Sequence, residues 1–155
     1  MGKIESRLEE LGIELPDVPA PAANYVPFVV AGDLVYVSGQ ISKTPQGELI
    51  TGTLGADMAT DDGVAAARVC AINLLAALRA ACGGDLERVK RVVKLGGFVN
   101  STADFVEQPQ VINGASDFMV EVLGPDVGSH ARAAVSAPSL PLGVAVEIEG
   151  IFQIT

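Results

Sequence analysis

The chain has 155 residues, of which 49% are hydrophobic and 19% are charged, and its formal net charge is −9. A length of this order predicts a single domain over residues 1–155, because domains of this size bury most of their apolar surface in one core. The negative charge disfavours nucleic-acid binding, since such proteins neutralise phosphates with clustered Lys and Arg. We therefore expect no nucleic-acid partner.

The N-terminal segment predicts a short amphipathic helix over residues 3–11, where apolar side chains recur at helical spacing. Residues 16–27 are rich in proline and predict an extended connector, so residues 1–24 consist of a helix and a connector. No apolar stretch of a signal peptide is present, and no apolar run approaches the roughly 18 residues of a membrane span. We expect a cytoplasmic protein that contacts no membrane.

The next segment predicts two strands, residues 28–31 and 34–38, joined by a tight turn at Gly32-Asp33. A second turn signal, Thr44-Pro-Gln-Gly47, predicts a third strand that includes residues 48–50. Strong helix formers then fill residues 64–78, with Asp61 or Asp62 as the N-terminal cap and Gly83-Gly84 as the end.

Residues 89–99 are dense in β-branched side chains and predict a buried strand, in which Gly96-Gly97 indicates a bulge or a close backbone approach. A second amphipathic helix is predicted over residues 108–123, followed by strands at 131–137 and 144–154. The segment between these last strands is too long for a two-residue hairpin, so direct pairing is not assumed.

This order of elements predicts an α+β fold with the helices on one face of the sheet. The other face must meet solvent or another subunit, and the scarcity of charge in the last strand favours a subunit.

Several familiar catalytic arrangements are missing from the sequence. No Gly-rich phosphate loop or nucleophile elbow is present, and the single histidine, His130, cannot supply a multi-His metal site. Cys70 and Cys82 lack metal-ligand spacing and are interpreted as reduced thiols. Any catalysis must therefore use Arg, carboxylates, hydroxyls, amides and water.

Three charged residues, Arg132, Glu147 and Glu149, stand in otherwise largely apolar strands near the C-terminus. The Arg132 guanidinium could bind a carboxylate ligand through two parallel hydrogen bonds, although the pattern alone favours a salt bridge. Strand alternation places Glu147 and Glu149 together on one face. Glu147 could orient a water molecule in an enclosed pocket, whereas the pattern alone favours a solvated or Arg-paired carboxylate.

Motifs near both ends of the domain form a recognisable combination. Tyr25 is followed by residues 32–41, Gly-Asp-Leu-Val-Tyr-Val-Ser-Gly-Gln-Ile. The C-terminal part contains Ala131-Arg132, Leu140-Pro141 and, at residues 146–149, Val-Glu-Ile-Glu. With these motifs the chain resembles the Rid family, also called YjgF-like or liver perchloric-acid-soluble protein-like, over nearly the whole domain.

The resemblance implies a mixed β-sheet with two helices on one face, the chorismate-mutase-like (YjgF-like) fold, in a homotrimer with pockets between subunits. It also implies hydrolytic deamination of reactive 2-imino or enamine acids to 2-keto acids and ammonia. The expected partner is a small imino or keto acid, and no metal or organic cofactor is expected.

The resemblance assigns roles to five residues. Arg132 matches the arginine that holds the substrate carboxylate, and Glu147 matches the glutamate that positions the hydrolytic water. Tyr25, Ser38 and Asn113 fall on residues that line the same pocket. Many active members carry Cys two residues after the arginine, where this chain has Ala134. This difference, the N-terminal extension and Gly96-Gly97 indicate a divergent branch.

Three alternatives remain open at this point. The first is a non-catalytic module that binds a small carboxylate through Arg132. This alternative stays open because Ala134 stands where many active members have Cys. The second is an endoribonuclease or translation inhibitor, a label often attached to this family, against which the acidic charge argues. The third is a chorismate-mutase-like isomerase, for which one basic pocket residue is too few to hold a dicarboxylate.

Overall fold

The computed structural model describes residues 1–18, 20 and 23–155. Residues 19, 21 and 22, which belong to the predicted connector, lie outside the described residues. The helices and strands follow one another along the chain as α1 (Lys3–Glu10), β1 (Phe28–Ala31), β2 (Leu34–Ile41), α2 (Thr60–Ala81), β3 (Val89–Asn100), α3 (Gln108–Leu123), α4 (Pro125–Gly128), β4 (Ala131–Ala137) and β5 (Val146–Ile154).

The five strands form one mixed sheet in the order β1-β2-β5-β3-β4. Strands β3 and β4 are parallel, and the other neighbouring pairs are antiparallel. The last strand, β5, lies in the centre of the sheet between β2 and β3, whereas β4 is an edge strand. Strands β4 and β5, whose direct pairing was not assumed from the sequence, are separated by β3.

The hydrophobic core lies between the sheet and two helices on one of its faces. Helix α2 contacts β2 and β5, and α3 contacts β3 and β4. Large fully buried side chains from both layers meet there, including Phe118 from α3, Leu74 from α2 and Phe152 from β5. The predicted α+β arrangement with helices on one face is therefore confirmed.

Helix α2 ends just before the predicted glycines but begins earlier than predicted, at Thr60, with Ala59 rather than Asp61 or Asp62 at the N-cap position. The Asp62 carboxylate accepts a hydrogen bond from the Ala59 backbone N–H at 3.1 Å, and Gly83 and Gly84 follow the helix with φ of +65° and +94°. By length and composition this helix could cross a membrane, which the sequence reading did not anticipate. Half of its most apolar window is buried inside the domain, which is typical of a core helix.

Gly96-Gly97 marks a close approach rather than a bulge. A Cβ atom on Gly97 would lie 2.6 Å from Cδ1 of Ile112, so the missing side chain lets α3 pack closely on β3. The irregularities of register in this strand occur nearer its start, between Val89 and Lys94.

The predicted strand at residues 48–50 is wrong. The segment forms only isolated bridges, Lys43 with Leu49 and Thr51 with Val144. The turn closed by the Gly47 N–H and the Thr44 carbonyl leaves little length before Gly52, where φ is +143°. The extended stretch between these two points is too short for a ladder.

The face of the sheet opposite the helices carries an apolar row across three strands. Val29 pairs with Tyr36, and Tyr36 pairs with Ile151. Val29 and Tyr36 are 53% and 45% exposed. We call Val29, Tyr36 and Ile151 the open-face row.

Candidate functional site

Arg132 lies on the edge strand β4 and points toward helix α3. It pairs with Leu95, whose side chain is fully buried on the helix side of the sheet. Nη1 of Arg132 donates hydrogen bonds to Oδ1 of Asn113 at 2.7 Å and to Oγ of Ser116 at 3.2 Å. The sheet and the helix thus bring together two residues that the sequence assigned to the site, Arg132 and Asn113.

Arg132 forms no salt bridge with any carboxylate of the described residues. The sequence pattern alone favoured an internal or intersubunit salt bridge. The internal one is not formed among the described residues, and the intersubunit one stays a prediction. Nε and Nη2 of Arg132 have no hydrogen-bond partner among the described residues. A guanidinium held on one side by neutral acceptors can offer its other donors to a carboxylate in the fork geometry.

Tyr25, Ser38 and Glu147 line a second region, a cleft with a volume of about 740 Å³. The Ser38 hydroxyl donates to the Val26 carbonyl at 2.6 Å, which holds the segment after Tyr25 against β2. The Glu147 carboxylate lies against Gly39, where a Cβ atom would come within 2.7 Å of Oε2. The glycine of the Ser-Gly-Gln motif therefore leaves room for the carboxylate.

The pKa of Glu147 is raised above its ordinary value, mainly by burial and then by the charge of Glu149. Partial burial disfavours the charged form of a carboxylate, and a nearby like charge acts in the same direction. Neighbouring residues Val146 and Ile148 are buried toward the helices, so alternation directs Glu147 to the opposite face, as predicted.

One chain does not bring Arg132 and Glu147 together. Glu147 pairs with Phe98 on β3, which pairs with Val135 on β4. The strand spacing separates Glu147 from β4 by about 10 Å, and Arg132 lies about 10 Å farther along that strand. The two side chains also point to opposite faces of the sheet. The predicted site is therefore divided into an Arg132–Asn113 part and a Tyr25–Ser38–Glu147 part.

A family model described as "YjgF/chorismate_mutase-like, putative endoribonuclease" matches residues 5–150. This range includes both parts of the divided site. The chain belongs to the YjgF family. The resemblance drawn from the sequence motifs is confirmed.

Relatives of this YjgF-family chain cover nearly its full length. Protein TCP17 of Trypanosoma cruzi is 48% identical over 99% of this chain and 95% of its own length. The crystal structure of a "putative endoribonuclease" from Shewanella oneidensis is 36% identical, with a TM-score of 0.92 over 99% of this chain and all of the other. The structure of TdcF from E. coli, with bound serine, is 26% identical, with a TM-score of 0.59 over 91% and 94% of the two chains.

Sequence reasoning missed two residues beside Arg132, namely Ser116 and His130. Ser116 follows Asn113 by three positions on α3, so helical spacing could have placed both on one face. His130 was considered only as a metal ligand, yet its Nε2 lies 2.9 Å from Oγ of Ser116. Within the described residues, no group of three or more His, Cys, Asp or Glu side chains could hold a metal ion.

Neither cysteine lines the cleft, although the charge of Glu147 adds to burial in raising the pKa of Cys70. Cys70 and Cys82 are buried and free, and burial raises the pKa of each thiol. A raised pKa lowers the thiolate fraction and hence the reactivity.

Proposed function

We propose that this YjgF-family protein hydrolyses 2-imino acids and their enamine tautomers to 2-keto acids and ammonia. The observation that carries the proposal is the Arg132 guanidinium, which Asn113 and Ser116 hold by one nitrogen while no described carboxylate occupies the others. Such a group binds a small carboxylate in a fixed orientation. In a 2-imino acid, that carboxylate is bonded directly to the electrophilic carbon.

Glu147 supplies the base in this proposal. Its raised pKa makes it a stronger base than an ordinary glutamate, and it lines a cleft that can hold water. Water attacks the imine carbon, so a C–O bond forms as the C=N double bond becomes single, and Glu147 accepts one proton from the water and passes it to the nitrogen. The hydroxyl proton of the resulting carbinolamine then passes through Glu147 to the nitrogen, the C–N bond breaks, ammonia leaves, and the C=O double bond of the keto acid forms.

The proposal requires Arg132 and Glu147 to come from different subunits, because one chain holds them on opposite faces of the sheet. We propose a homotrimer with a pocket at each subunit boundary, in which β4 of one subunit faces the Glu147 cleft of the next. Repeated head-to-tail contacts of this kind close into a ring when the rotation from one subunit to the next divides a full turn, as three equal steps do. The exposed open-face row supports a subunit contact, since large exposed apolar patches often mark interfaces.

The serine bound in the TdcF structure supports the substrate class. Serine carries a carboxylate and a nitrogen on the same carbon atom, as a 2-imino acid does. The same observation favours the second candidate, a module that binds a small carboxylate without catalysis, in which Ala134 replaces the family cysteine. The endoribonuclease description of the family suits this chain less well, because a net charge of −9 opposes RNA binding.

The test is to generate 2-imino acids in situ with an amino-acid oxidase and to measure ammonia and keto-acid release. The wild-type protein should accelerate release. Arg132→Ala should lower kcat/KM about 100-fold or more, because the substrate is no longer oriented. Gln110→Ala, an exposed change on α3 outside the hydrogen bonds of Arg132, serves as a control and should leave the rate unchanged.

Assembly must be matched between variants by measuring their mass in solution, so that a lost subunit contact is not mistaken for a lost carboxylate contact. If the wild type accelerates no 2-imino acid but still binds pyruvate through Arg132, the deaminase proposal fails and the binding module becomes the better account.

A further inference from the structure

A chain of hydrogen bonds runs from the backbone of α4 to the Arg132 guanidinium. Nδ1 of His130 lies 2.6 Å from the Gly128 carbonyl oxygen, and Nε2 lies 2.9 Å from Oγ of Ser116. Oγ of Ser116 in turn accepts from Nη1 of Arg132 at 3.2 Å. These contacts are partly buried, and none of them involves a carboxylate.

The direction of each bond follows from the Gly128 carbonyl. A carbonyl oxygen can only accept, so Nδ1 of His130 carries the hydrogen. In the neutral imidazole Nε2 is then an acceptor, and the Ser116 hydroxyl donates to it. With its hydrogen used in this way, the Ser116 oxygen turns a lone pair toward Arg132.

Helix α3 thus presents two neutral acceptors to the same nitrogen of Arg132. Asn113 and Ser116 are three positions apart, which places them side by side on one helix face. Both contacts use Nη1, so they fix the plane of the guanidinium while leaving Nε and Nη2 available.

We propose that His130 and Ser116 are positioning residues for Arg132, and that selectivity of the site for a carboxylate over a neutral group depends on the His130–Ser116 hydrogen bond. The inference rests on the proposed function only in taking Arg132 as the carboxylate-binding residue. His130 acts through Ser116, and its contact with Gly128 serves to set the tautomer.

Two amide substitutions test the two hydrogen bonds of His130, with Gly128 and with Ser116, one at a time. The shorter Asn side chain of His130→Asn can place an N–H near the Nδ1 position, which keeps a donor to Gly128 but does not reach Ser116. The longer Gln side chain of His130→Gln can place its amide oxygen near the Nε2 position and accept from Ser116. The probe is pyruvate, the neutral comparison is pyruvamide, and the dissociation constants are measured by NMR titration of the assembled protein.

We expect His130→Asn to raise the dissociation constant for pyruvate about threefold to tenfold, the net effect of one hydrogen bond. His130→Gln should stay within about twofold of the wild type. Pyruvamide binding should change little in either variant. In a Ser116→Ala background, the difference between His130→Asn and wild-type His130 should disappear, because His130 has nothing left to act through.

The opposite pattern, in which His130→Gln weakens pyruvate binding and His130→Asn does not, would overturn the inference and assign His130 a structural role at Gly128. An equal loss for pyruvate and pyruvamide would also overturn it. Imine hydrolysis is measured separately, so the deaminase proposal can fail while this pattern of pyruvate affinities stands. A wild-type protein that binds no pyruvate would overturn the carboxylate role of Arg132 and the inference together.

Discussion

Among single residues, Glu147 lies in the candidate site, in an environment that disfavours its charged form. Burial and the neighbouring charge of Glu149 raise its pKa. A raised pKa in the folded state means that the folded protein binds this proton more tightly than the unfolded chain does. The free energy of unfolding therefore falls as pH rises from the ordinary glutamate pKa through the raised one, and stays at the lower level above it.

Glu147→Gln should lower the activity and raise the stability of the protein. We expect the rate of imine hydrolysis to fall about 100- to 10,000-fold, the usual contribution of a general base. The variant should also be more stable than the wild type at about pH 7, with a smaller difference at about pH 4, where the wild-type carboxyl is largely protonated. Thermal unfolding across this pH range measures the second effect.

Glu149→Gln is the control, because it removes the neighbouring charge and keeps the base. It should shift the acid limb of the pH–rate profile to lower pH and leave the maximal rate nearly unchanged. An acid limb that does not move would mean that Glu147 is not the titrating base.

At the scale of elements, the crossing of α2 and α3 depends on glycine. A Cβ atom on Gly114 would collide with the carbonyl oxygen of Val64, and one on Gly63 would lie 2.9 Å from Cγ2 of Val111. The two helix backbones approach closely where these glycines lie. Because Asn113 immediately precedes Gly114, the same crossing fixes the helix face that holds Arg132.

Gly114→Ala should therefore destabilise the protein, although alanine normally favours an exposed helix by up to about 1 kcal/mol over glycine. We expect a loss of about 1–3 kcal/mol or more, since the obstacle is backbone rather than a mobile side chain. Chemical denaturation of Gly114→Ala and of the exposed control Gln110→Ala measures the difference. Equal stability of the two variants would contradict the close crossing.

Elements with strong local signals could be predicted from the sequence. The bounds of α3 and β4 agree with the prediction, because Pro109 and Gly124-Pro125 delimit the helix and β-branched or small residues fill the strand. The strand at residues 48–50 was wrongly predicted, since this segment forms only one bridge, Leu49 with Lys43, and the next bridge joins Thr51 to the distant Val144. Ser116 and His130 were missed for a related reason. Their contact depends on how α3 packs beside β4, which periodicity does not encode.

For the whole molecule, the proposed division of the site between subunits predicts that two inactive variants can complement each other. Arg132→Ala subunits keep Glu147, and Glu147→Gln subunits keep Arg132. Mixing the two inactive variants in equal amounts should restore about one quarter of wild-type activity, because in the proposed trimer an intact pocket needs the right subunit on each side of a boundary. Activity is measured after the subunits are unfolded and reassembled together.

Each variant reassembled alone is the control and should remain inactive. No recovery in mixed assemblies of normal mass would show that both residues act within one subunit or in different sites.

The position of β5 also bears on how the chain folds during synthesis. It is the last strand in chain order, yet it fills the gap between β2 and β3 at the middle of the sheet. Until it is made, the hairpin of β1 and β2 has no partner in the half formed by β3, α3 and β4. Long-range pairing of this kind slows folding, and it exposes strand edges to aggregation in the meantime. Because Glu147 lies in this strand, the cleft gains its carboxylate only when the sheet is complete.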